Sequence, residues 1–180
     1  KHGNRKITSK TGSADVLVEL GVNIEAPVAV MEQALNEAGI CFMFAPLFHP
    51  SMRHVMPVRR SLGVPTIFNM LGPLCNPANA SYQLLGVGRP ALRPMLSSAL
   101  SLLEIERAHI VCGSDGLDEI TLTGVTNVST VDGNTVSETS WTPEDFGITS
   151  GALEGMDAED AIQSAEQIRK VLSGVAGPSR

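Results

Sequence analysis

Short apolar runs alternate with amphipathic segments along most of this chain, and that alternation restricts the folds open to it. The runs ICFMF, YQLLGV and AHIVCG have the length and composition of buried strands. Between the last two lies ALRPMLSSALSLLE, whose apolar residues keep helical spacing (Leu92, Leu96, Ala99 and Leu103). Strand, helix and strand in this order predict an α/β fold with a mostly parallel central sheet flanked by helices.

Further helices are predicted before these strands. SADVLVELG reads as a short helix with Ser13 as its N-cap, and APVAVMEQALNEAG as a second helix that Gly39 ends. HPSMRHVMPVRRSLG predicts a helical turn to about Met56 and a new helix starting near Pro57, because proline is costly inside a helix. TIFNMLGPLCNP predicts a strand-like entry into a loop.

The pattern of apolar and polar residues changes near the end of the chain. TNVSTVDGNTVSETSW alternates and contains Asp132-Gly133, which predicts a β-hairpin. DAEDAIQSAEQIRKVLSG predicts a final amphipathic helix with one inward face (Ala161, Ile162, Ala165, Ile168 and Leu172). The predicted fold is therefore an α/β domain with a C-terminal hairpin and helix.

Composition excludes several classes of protein. Hydrophobic residues make up 43% and charged residues 18% of the 180, a globular balance. No apolar run approaches the roughly 20 residues that a membrane span needs, and no signal peptide opens the sequence. The three cysteines form no CxxC pair, which argues against zinc and for a reducing, cytoplasmic compartment. A net charge of −6 argues against nucleic-acid binding over the whole surface.

Against this acidic background the first residues are basic. Four cations precede the first acidic residue (Lys1, Arg5, Lys6 and Lys10 before Asp15), and small or hydroxyl residues lie among and after them (Gly3, Thr8, Ser9, Thr11, Gly12 and Ser13). Backbone N–H groups of such a loop, leading into a helix, can bind an anion. The alternative from these residues alone is a solvated basic tail.

An acidic pair follows the predicted strand AHIVCG. Asp118 and Glu119 in GLDE are adjacent carboxylates, and Mg²⁺ prefers oxygen ligands that it often shares with substrate phosphates. Pairs of this kind are also common in solvated surface turns, so the residues alone leave both interpretations open.

Two further features could line a cleft. The segment after ICFMFAP carries His49 and three arginines (Arg53, Arg59 and Arg60), and an arginine fork binds a carboxylate or phosphate. Arginines that simply cover a helix surface are the alternative. The turn Gly72-Pro73 would let a ligand approach the backbone, although turn formation alone explains it equally well.

Taken together, five segments in a fixed order identify a family. KHGNR, TSKTGSADVLVELG, CFMFAPLFHPSMRHVMPVRRSLG, TIFNMLGPLCNPA and GLDE resemble the anthranilate phosphoribosyltransferase family of tryptophan biosynthesis, from Lys1 to about Gly147 and more loosely beyond. The resemblance implies a magnesium-dependent enzyme of the phosphoribosyltransferase and nucleoside phosphorylase type of fold. It would transfer a phosphoribosyl group from phosphoribosyl diphosphate to the amine of anthranilate and release diphosphate.

The resemblance also implies a role for individual residues. Phosphoribosyl diphosphate would be bound by the first residues of the chain and the start of the first helix (Lys1, His2, Gly3, Asn4, Arg5, Lys6, Ile7, Thr8, Ser9, Gly12 and Ser13). Anthranilate would contact Asn4 and Arg59, and its path would be shaped by four others (His2, His49, Gly72 and Pro73). Magnesium would be held by Asp118 and Glu119. No catalytic acid–base pair is implied, because an aromatic amine is already neutral at pH 7 and positioning with charge stabilisation would supply most of the rate.

Relative to the family pattern, the sequence departs at its ends. The helical domain, the GTGGD diphosphate loop and the Asn-Ile-Ser-Thr segment that precede KHGNR in the family are not in these residues, nor are its last helices. We therefore expect residues 1–180 to form part of the catalytic domain and to be inactive alone, and the full-length form to be a homodimer. Thr8 and Thr11 stand where serines are more usual.

Two other functions are alternatives to phosphoribosyl transfer. A pyrimidine nucleoside phosphorylase-like enzyme has a similar fold but would not be expected to show KHGNR or GLDE. A non-catalytic nucleic-acid-binding relative would need a basic face and exposed aromatic residues, whereas this chain is acidic with one Trp and one Tyr.

Overall fold

The computed structural model describes residues 1–5, 11–64 and 66–175, without the side chain of Arg60. The chain forms two compact units, one from Lys1–Pro77 together with the chain from Glu154 onward, and one from Ala78–Leu153. We refer to them as the first and the second unit.

The second unit is built on a four-stranded sheet in the order β3-β4-β5-β6. Its strands are β3 (Tyr82–Gly86), β4 (Arg107–Gly113), β5 (Thr126–Asp132) and β6 (Thr135–Trp141), and helix α6 (Leu92–Leu102) connects β3 to β4. β3 and β4 are parallel, as a helical crossover requires, whereas β4–β5 and β5–β6 are antiparallel. The hairpin predicted at Asp132-Gly133 is confirmed.

Central strands and α6 supply the core of this unit. Ala108, Ile110 and Cys112 on β4, and Val128 and Val131 on β5, are 0% exposed. Leu96 and Leu100 of α6 are also buried, as the helical spacing predicts for Leu96. Each fully buried aliphatic side chain stabilises the fold by about 1.5–3 kcal/mol, so β4 and β5 anchor the loops at their ends.

The α/β class is confirmed, but the strand pairing is more mixed than the sequence predicts. In the described residues, two strand pairs are parallel and two are antiparallel. The physical reason is the connections, since the loop after β4 and the hairpin after β5 contain no helix that could carry the chain back for a parallel strand. The predicted burial of YQLLGV is wrong in part, because Tyr82 and Leu84 lie on one face of β3 and are 63% and 59% exposed.

The first unit is mainly helical. It contains α1 (Ser13–Glu19), α2 (Val28–Ala38), α3 (Ala45–Phe48), α4 (Met52–Leu62), α5 (Phe68–Leu71) and α7 (Ala161–Leu172), with a 3₁₀ turn at Gly72–Leu74. A short parallel pair joins β1 (His2–Gly3) to β2 (Met43–Phe44). Ala14, Ile24 and Phe44 form a buried cluster beneath it.

Helix ends in this unit follow the sequence closely, with two differences. The N-cap of α1 is Gly12 rather than Ser13, because the Asp15 carboxylate accepts the Gly12 N–H at 3.1 Å. α2 ends at Gly39 with φ +74°, as predicted. α7 starts later than predicted, at Ala161, where the Asp160 carboxylate accepts the Gln163 N–H at 2.9 Å.

Only Ala165 of the predicted inward face of α7 is fully buried. Ile162 and Leu172 are 55% and 80% exposed, so their assignment to the core is wrong within the described residues. Arg169 ties α7 to α1 by donating to the Glu19 carbonyl at 2.6 Å.

Two local predictions between residues 51 and 77 are wrong. α4 continues through Pro57 instead of restarting there. Thr66 and the following residues form a helical turn rather than a strand, because the Asn69 side chain accepts the Thr66 N–H at 2.9 Å and the Thr66 carbonyl accepts the Asn69 N–H at 2.9 Å. With these two helical segments, Arg59 of α4 contacts Phe68 and Asn69 of α5.

Candidate functional site

The predicted phosphate-binding stretch is described in part. Lys6, Ile7, Thr8 and Ser9 lie outside the described residues. On either side of them the chain is tightly placed, since the Asn4 carbonyl accepts the Ala14 N–H at 3.4 Å. A Cβ at Gly3 would lie 3.0 Å from Ser13 Oγ and 3.1 Å from the Phe42 ring. A side chain at position 3 would therefore require Ser13 or Phe42 to shift by a few tenths of an ångström.

Arg5 is engaged by the protein itself. Its guanidinium lies 3.3 Å from a Glu25 oxygen and 3.7 Å from an Asp15 oxygen, and it stacks over the Phe44 ring at 5.7 Å. A phosphate group would have to compete with these carboxylates for Arg5. Two other predicted anion-binding residues hydrogen-bond within the chain. Asn4 Oδ1 accepts the Arg5 N–H at 2.8 Å, and the Lys1 carbonyl accepts the Met43 N–H at 2.8 Å.

A cavity of about 330 Å³ lies beside Arg5, between α1 and the start of α7. Asp15, Glu19 and Asp160 are in its wall. Because these three carboxylates repel a polyanion, the cavity is not suited to a diphosphate.

Residues that the sequence places far apart meet in what we call the histidine cluster, formed by His2, His49 and Gly72. The Nε2 atoms of His2 and His49 are 3.2 Å apart, and the rings meet edge to face with centroids 5.0 Å apart. The His2 ring also hydrogen-bonds to the Gly72 backbone. Three of the residues assigned to the anthranilate path by resemblance are thus in mutual contact.

The electrostatics of this cluster favour the neutral form of the His2 ring. Burial lowers the pKa of His2 below its ordinary value and the nearby His49 lowers it further, while the hydrogen bond to Gly72 opposes the shift. Only one of the two facing Nε2 atoms can carry a proton, so one ring donates and the other accepts. The His2 ring therefore presents a polar surface whose neutral form is favoured near pH 7.

Arg59 faces α5 from α4. One guanidinium nitrogen lies 3.4 Å from Asn69 Oδ1, another lies 3.9 Å from Met56 Sδ, and the group stacks over the Phe68 ring at 5.5 Å. No carboxylate of the described residues lies within ion-pair distance of it. The arginine is thus oriented by neutral groups, which leaves its charge for a carboxylate ligand.

Sequence reasoning missed Asn69 and Phe68 as partners of Arg59. No local sequence pattern indicates these contacts, because Phe68 and Asn69 face Arg59 only when residues 68–71 are helical. Cys75 follows this segment, is exposed, and donates its N–H to the Gly72 carbonyl at 3.3 Å. Cys41 is half-buried, Cys112 is buried, and all three thiols are free.

The acidic pair lies in the second unit, in residues 114–125 between β4 and β5, which we call the acidic loop. Asp118 and Glu119 are both exposed. No group of three or more His, Cys, Asp or Glu side chains converges on a metal position anywhere in the described part of the chain. Two exposed neighbouring carboxylates still fit Mg²⁺, which is commonly held by one or two carboxylates with water and substrate phosphates completing its shell.

Comparison with known proteins extends these observations to the whole chain. A family model described as "Glycosyl transferase family, a/b domain" matches residues 1–179. Anthranilate phosphoribosyltransferases of Rhodopirellula baltica and Thermomicrobium roseum are 48% and 49% identical to the chain, over all of it and 53% of their own length. The chain thus spans about half the length of the curated relatives it matches.

Solved structures agree with the fold. The anthranilate phosphoribosyltransferase of Thermus thermophilus superposes with a TM-score of 0.87 at 41% identity, over 99% of this chain and 53% of that one. The Saccharomyces cerevisiae enzyme, solved in complex with PRPP and Mg, gives a TM-score of 0.87 at 30% identity, over 98% of this chain and 48% of that one.

In the ranges 1–5, 11–64 and 66–175, no helix is both long and apolar enough to cross a membrane. With a family match from the first residue to the last but one, the chain belongs to the glycosyl transferase family and carries its a/b domain.

Proposed function

We propose that the protein containing this chain transfers the phosphoribosyl group of phosphoribosyl diphosphate to the amine of anthranilate, in tryptophan biosynthesis. The observation that carries the proposal is Arg59, whose guanidinium is held by Asn69 and Phe68 and has no carboxylate partner among the described residues. Anthranilate offers a carboxylate on a flat ring, which suits a bidentate arginine beside an aromatic side chain. The matched relatives named above are anthranilate phosphoribosyltransferases, which supports the same substrate.

In this proposal the first unit binds both substrates. The stretch Lys1 to Ser9, with Gly12 and Ser13, contacts phosphoribosyl diphosphate, and Asn4 helps to position anthranilate. The histidine cluster and Pro73 line the path of anthranilate. Since burial favours the neutral form of His2, this ring adds no positive charge beside an amine that must stay nucleophilic.

Asp118 and Glu119 are the proposed metal ligands. Mg²⁺ bound there would offset the negative charge that builds on the leaving diphosphate. The rest of the rate would come from holding the neutral amine close to the ribose carbon, for which no catalytic acid–base pair is required. The yeast relative solved with PRPP and Mg supports this choice of metal.

We also propose a domain assignment, an oligomeric state and a cellular compartment. Residues 1–180 are part of the catalytic α/β domain, the whole protein acts as a homodimer, and it works in the cytoplasm. The two alternatives, a pyrimidine nucleoside phosphorylase-like enzyme and a nucleic-acid-binding relative, have less support, because the matched relatives and structures described above carry neither name.

A substitution in α4 tests the proposal. In the full-length product of the gene that encodes this chain, Arg59→Lys keeps the charge but loses the fork, which is worth about 1.5–3 kcal/mol, or roughly 10- to 150-fold in the KM for anthranilate. The KM for phosphoribosyl diphosphate should change little. Arg53→Lys on the same helix is the control, since Arg53 contacts only its neighbour His54 among the hydrogen bonds described, at 3.2 Å. Equal losses for both substrates would count against Arg59, and Arg60 would be tested next.

A further inference from the structure

The acidic loop is organised around one carboxylate that is not in the proposed metal pair. Asp115 Oδ1 accepts the Leu117 N–H at 3.0 Å, and Oδ2 accepts the Thr123 hydroxyl at 2.8 Å and the Thr121 hydroxyl. These hydrogen bonds hold the pKa of Asp115 below its ordinary value, the Thr121 hydroxyl contributing most. One side chain thus fixes both ends of the segment that contains Asp118 and Glu119.

Thr121 connects this arrangement to the sheet. It is 2% exposed, and its N–H donates to the Thr126 hydroxyl at the start of β5 at 3.0 Å. Thr121 and Thr123 hydroxyls also lie 3.0 Å apart. Asp115 is therefore connected through Thr121 to a buried strand, in addition to its hydrogen bonds with Leu117 and Thr123 of the loop.

Two glycines at strand ends leave room for the loop. A Cβ at Gly113, the last residue of β4, would lie 2.4 Å from Asp115 Oδ1. A Cβ at Gly86, the last residue of β3, would lie 1.6 Å from the Asp118 carbonyl oxygen and 2.6 Å from its carbonyl carbon. Such contacts are impossible without moving the backbone of Asp118, so the loop is pressed directly onto the end of β3.

We propose that Asp115 is a positioning residue for the metal pair, with Gly86 as the surface against which the Asp118 backbone is set. The proposal rests on the assignment of Mg²⁺ to Asp118 and Glu119. In an irregular loop two adjacent carboxylates can adopt many relative orientations, so they bind one cation tightly only if the backbone between them is held in one conformation. Asp115 restrains the flanking residues Leu117 and Thr121 by hydrogen bonds, and Gly86 restrains the Asp118 backbone by close contact.

Metal binding and kinetics together provide the test, in the full-length gene product. The probe is Mn²⁺, titrated by electron paramagnetic resonance with phosphoribosyl diphosphate present and its own Mn²⁺ binding subtracted. Asp115→Glu keeps the charge but moves the oxygens, and Thr121→Val removes a donor and leaves the charge in place. Gly86→Ala displaces the Asp118 carbonyl. Each should weaken Mn²⁺ binding by roughly 10- to 100-fold, as loss of groups that orient metal ligands does.

The kinetic readout separates positioning from a general loss of structure. The Mg²⁺ concentration for half-maximal activity should rise in all three variants, while kcat at saturating Mg²⁺ and the KM for anthranilate stay near the wild-type values. Asp132→Asn is the control, because Asp132 lies at the end of β5 opposite to Thr126 and the acidic loop, where it pairs with Arg107 at 3.0 Å. It should bind Mn²⁺ as the wild type does.

Asp118→Asn distinguishes failure of this inference from failure of the metal assignment. If Asp118→Asn weakens Mn²⁺ binding but Asp115→Glu and Gly86→Ala do not, the pair binds metal and Asp115 does not position it. If Asp118→Asn also leaves binding unchanged, the assignment of the metal pair is wrong, and the inference is overturned with it. A loss in Asp115→Asn that Asp115→Glu does not share would mean that charge, not position, is what Asp115 supplies.

Discussion

The histidine cluster of the first unit and the acidic loop of the second differ in what holds their side chains in place. His2 and His49 are 47 residues apart in the sequence and meet because β1 pairs with β2 through two residues on each strand. In the acidic loop, Asp115 and Thr123 are 8 residues apart, and the loop rests on strands with 0% exposed side chains. A site built by distant contacts depends on the packing beneath it, whereas a loop with its own hydrogen bonds depends mainly on its two ends.

The largest expected effect is on the packing beneath the histidine cluster. Phe44→Ala removes a side chain that is 6% exposed and leaves a cavity in the buried cluster that it forms with Ala14 and Ile24. We expect a loss of about 3–5 kcal/mol in the free energy of unfolding and a higher KM for anthranilate. Urea unfolding and steady-state kinetics measure these changes.

Phe146→Ala, at a side chain that is 50% exposed, should cost much less and is the control. If the comparison is right, Phe44→Ala leaves Mn²⁺ binding at the acidic loop unchanged under conditions where the protein stays folded. Parallel loss of Mn²⁺ binding would break the comparison.

The contact between α6 and β6 in the second unit joins residues far apart in the sequence. It tests whether the stabilisation from such a contact depends on its burial or on its separation in the sequence. Arg93 of α6 donates to Ser129 Oγ at 2.9 Å and pairs with Glu138 of β6. Burial pushes the pKa of Glu138 up, but hydrogen bonds from Ser129 and Arg93 and the charge of Arg93 outweigh it, so the pKa lies below its ordinary value. A carboxylate with a lowered folded-state pKa stabilises the protein above its unfolded pKa, and that stability is lost as pH falls through the folded value.

Glu138→Gln should therefore remove about 1 kcal/mol of stability at pH 7, after allowance for the exposed part of Glu138, and less at pH 3. Urea unfolding at both pH values gives the difference. Asp132→Asn is matched to it, because the Asp132–Arg107 pair has a 3.0 Å contact with side chains 60% and 52% exposed, and it should change stability little. Equal effects of the two substitutions would show that burial of Arg93 has no role.

A smaller effect is expected at the local contact that orients Arg59. Asn69→Asp places a carboxylate beside the guanidinium, where it competes with the carboxylate of anthranilate. At an exposed position this is worth about 0.2–1 kcal/mol, or roughly a 1.5- to fivefold higher KM for anthranilate. Asn23→Asp adds the same charge to the first unit, where Asn23 Oδ1 accepts the Glu25 N–H at 3.2 Å, and should leave this KM unchanged.

The smallest expected effect concerns the two imidazoles. His49→Gln removes the neighbouring charge that helps to lower the pKa of His2, so the His2 pKa should move up toward its ordinary value without reaching it, because burial remains the larger cause. Proton NMR titration of the His2 ring measures the change. His54→Gln in α4 is the control, and a His2 pKa that falls in His49→Gln would contradict the assignment of causes.

Sequence patterns gave reliable predictions where local structure decides. α6, β4 and the β5–β6 hairpin follow from helical spacing, an apolar run and Asp132-Gly133, and each rests on buried residues nearby. The pattern failed at Pro57, which α4 contains, and at Thr66, where a hydrogen bond from the Thr66 N–H to the Asn69 side chain accompanies a helical turn despite the strand preference of Thr-Ile-Phe.

The candidate site shows the same division. The residues alone located the basic stretch and the acidic pair and made His49 and Arg59 candidates for a cleft, but only the family resemblance selected Arg59 for anthranilate and added His2 to its path. No local pattern predicts that His2 meets His49, since the contact depends on the pairing of β1 with β2. The partners Phe68 and Asn69 came from the fold alone, because they face Arg59 only when residues 68–71 are helical.

The free thiol that follows the Gly72–Leu74 turn offers a spectroscopic handle on the first unit. Cys75 is exposed while Cys112 is buried, so a maleimide dye will label Cys75 well before Cys112, and replacement of the half-buried Cys41 by serine would leave Cys75 as the one accessible thiol among residues 1–180. The Cys75 N–H is bonded to the Gly72 carbonyl, whose residue also contacts the His2 ring. Fluorescence from that one position would follow the arrival of an aromatic ligand in real time, without a coupled assay.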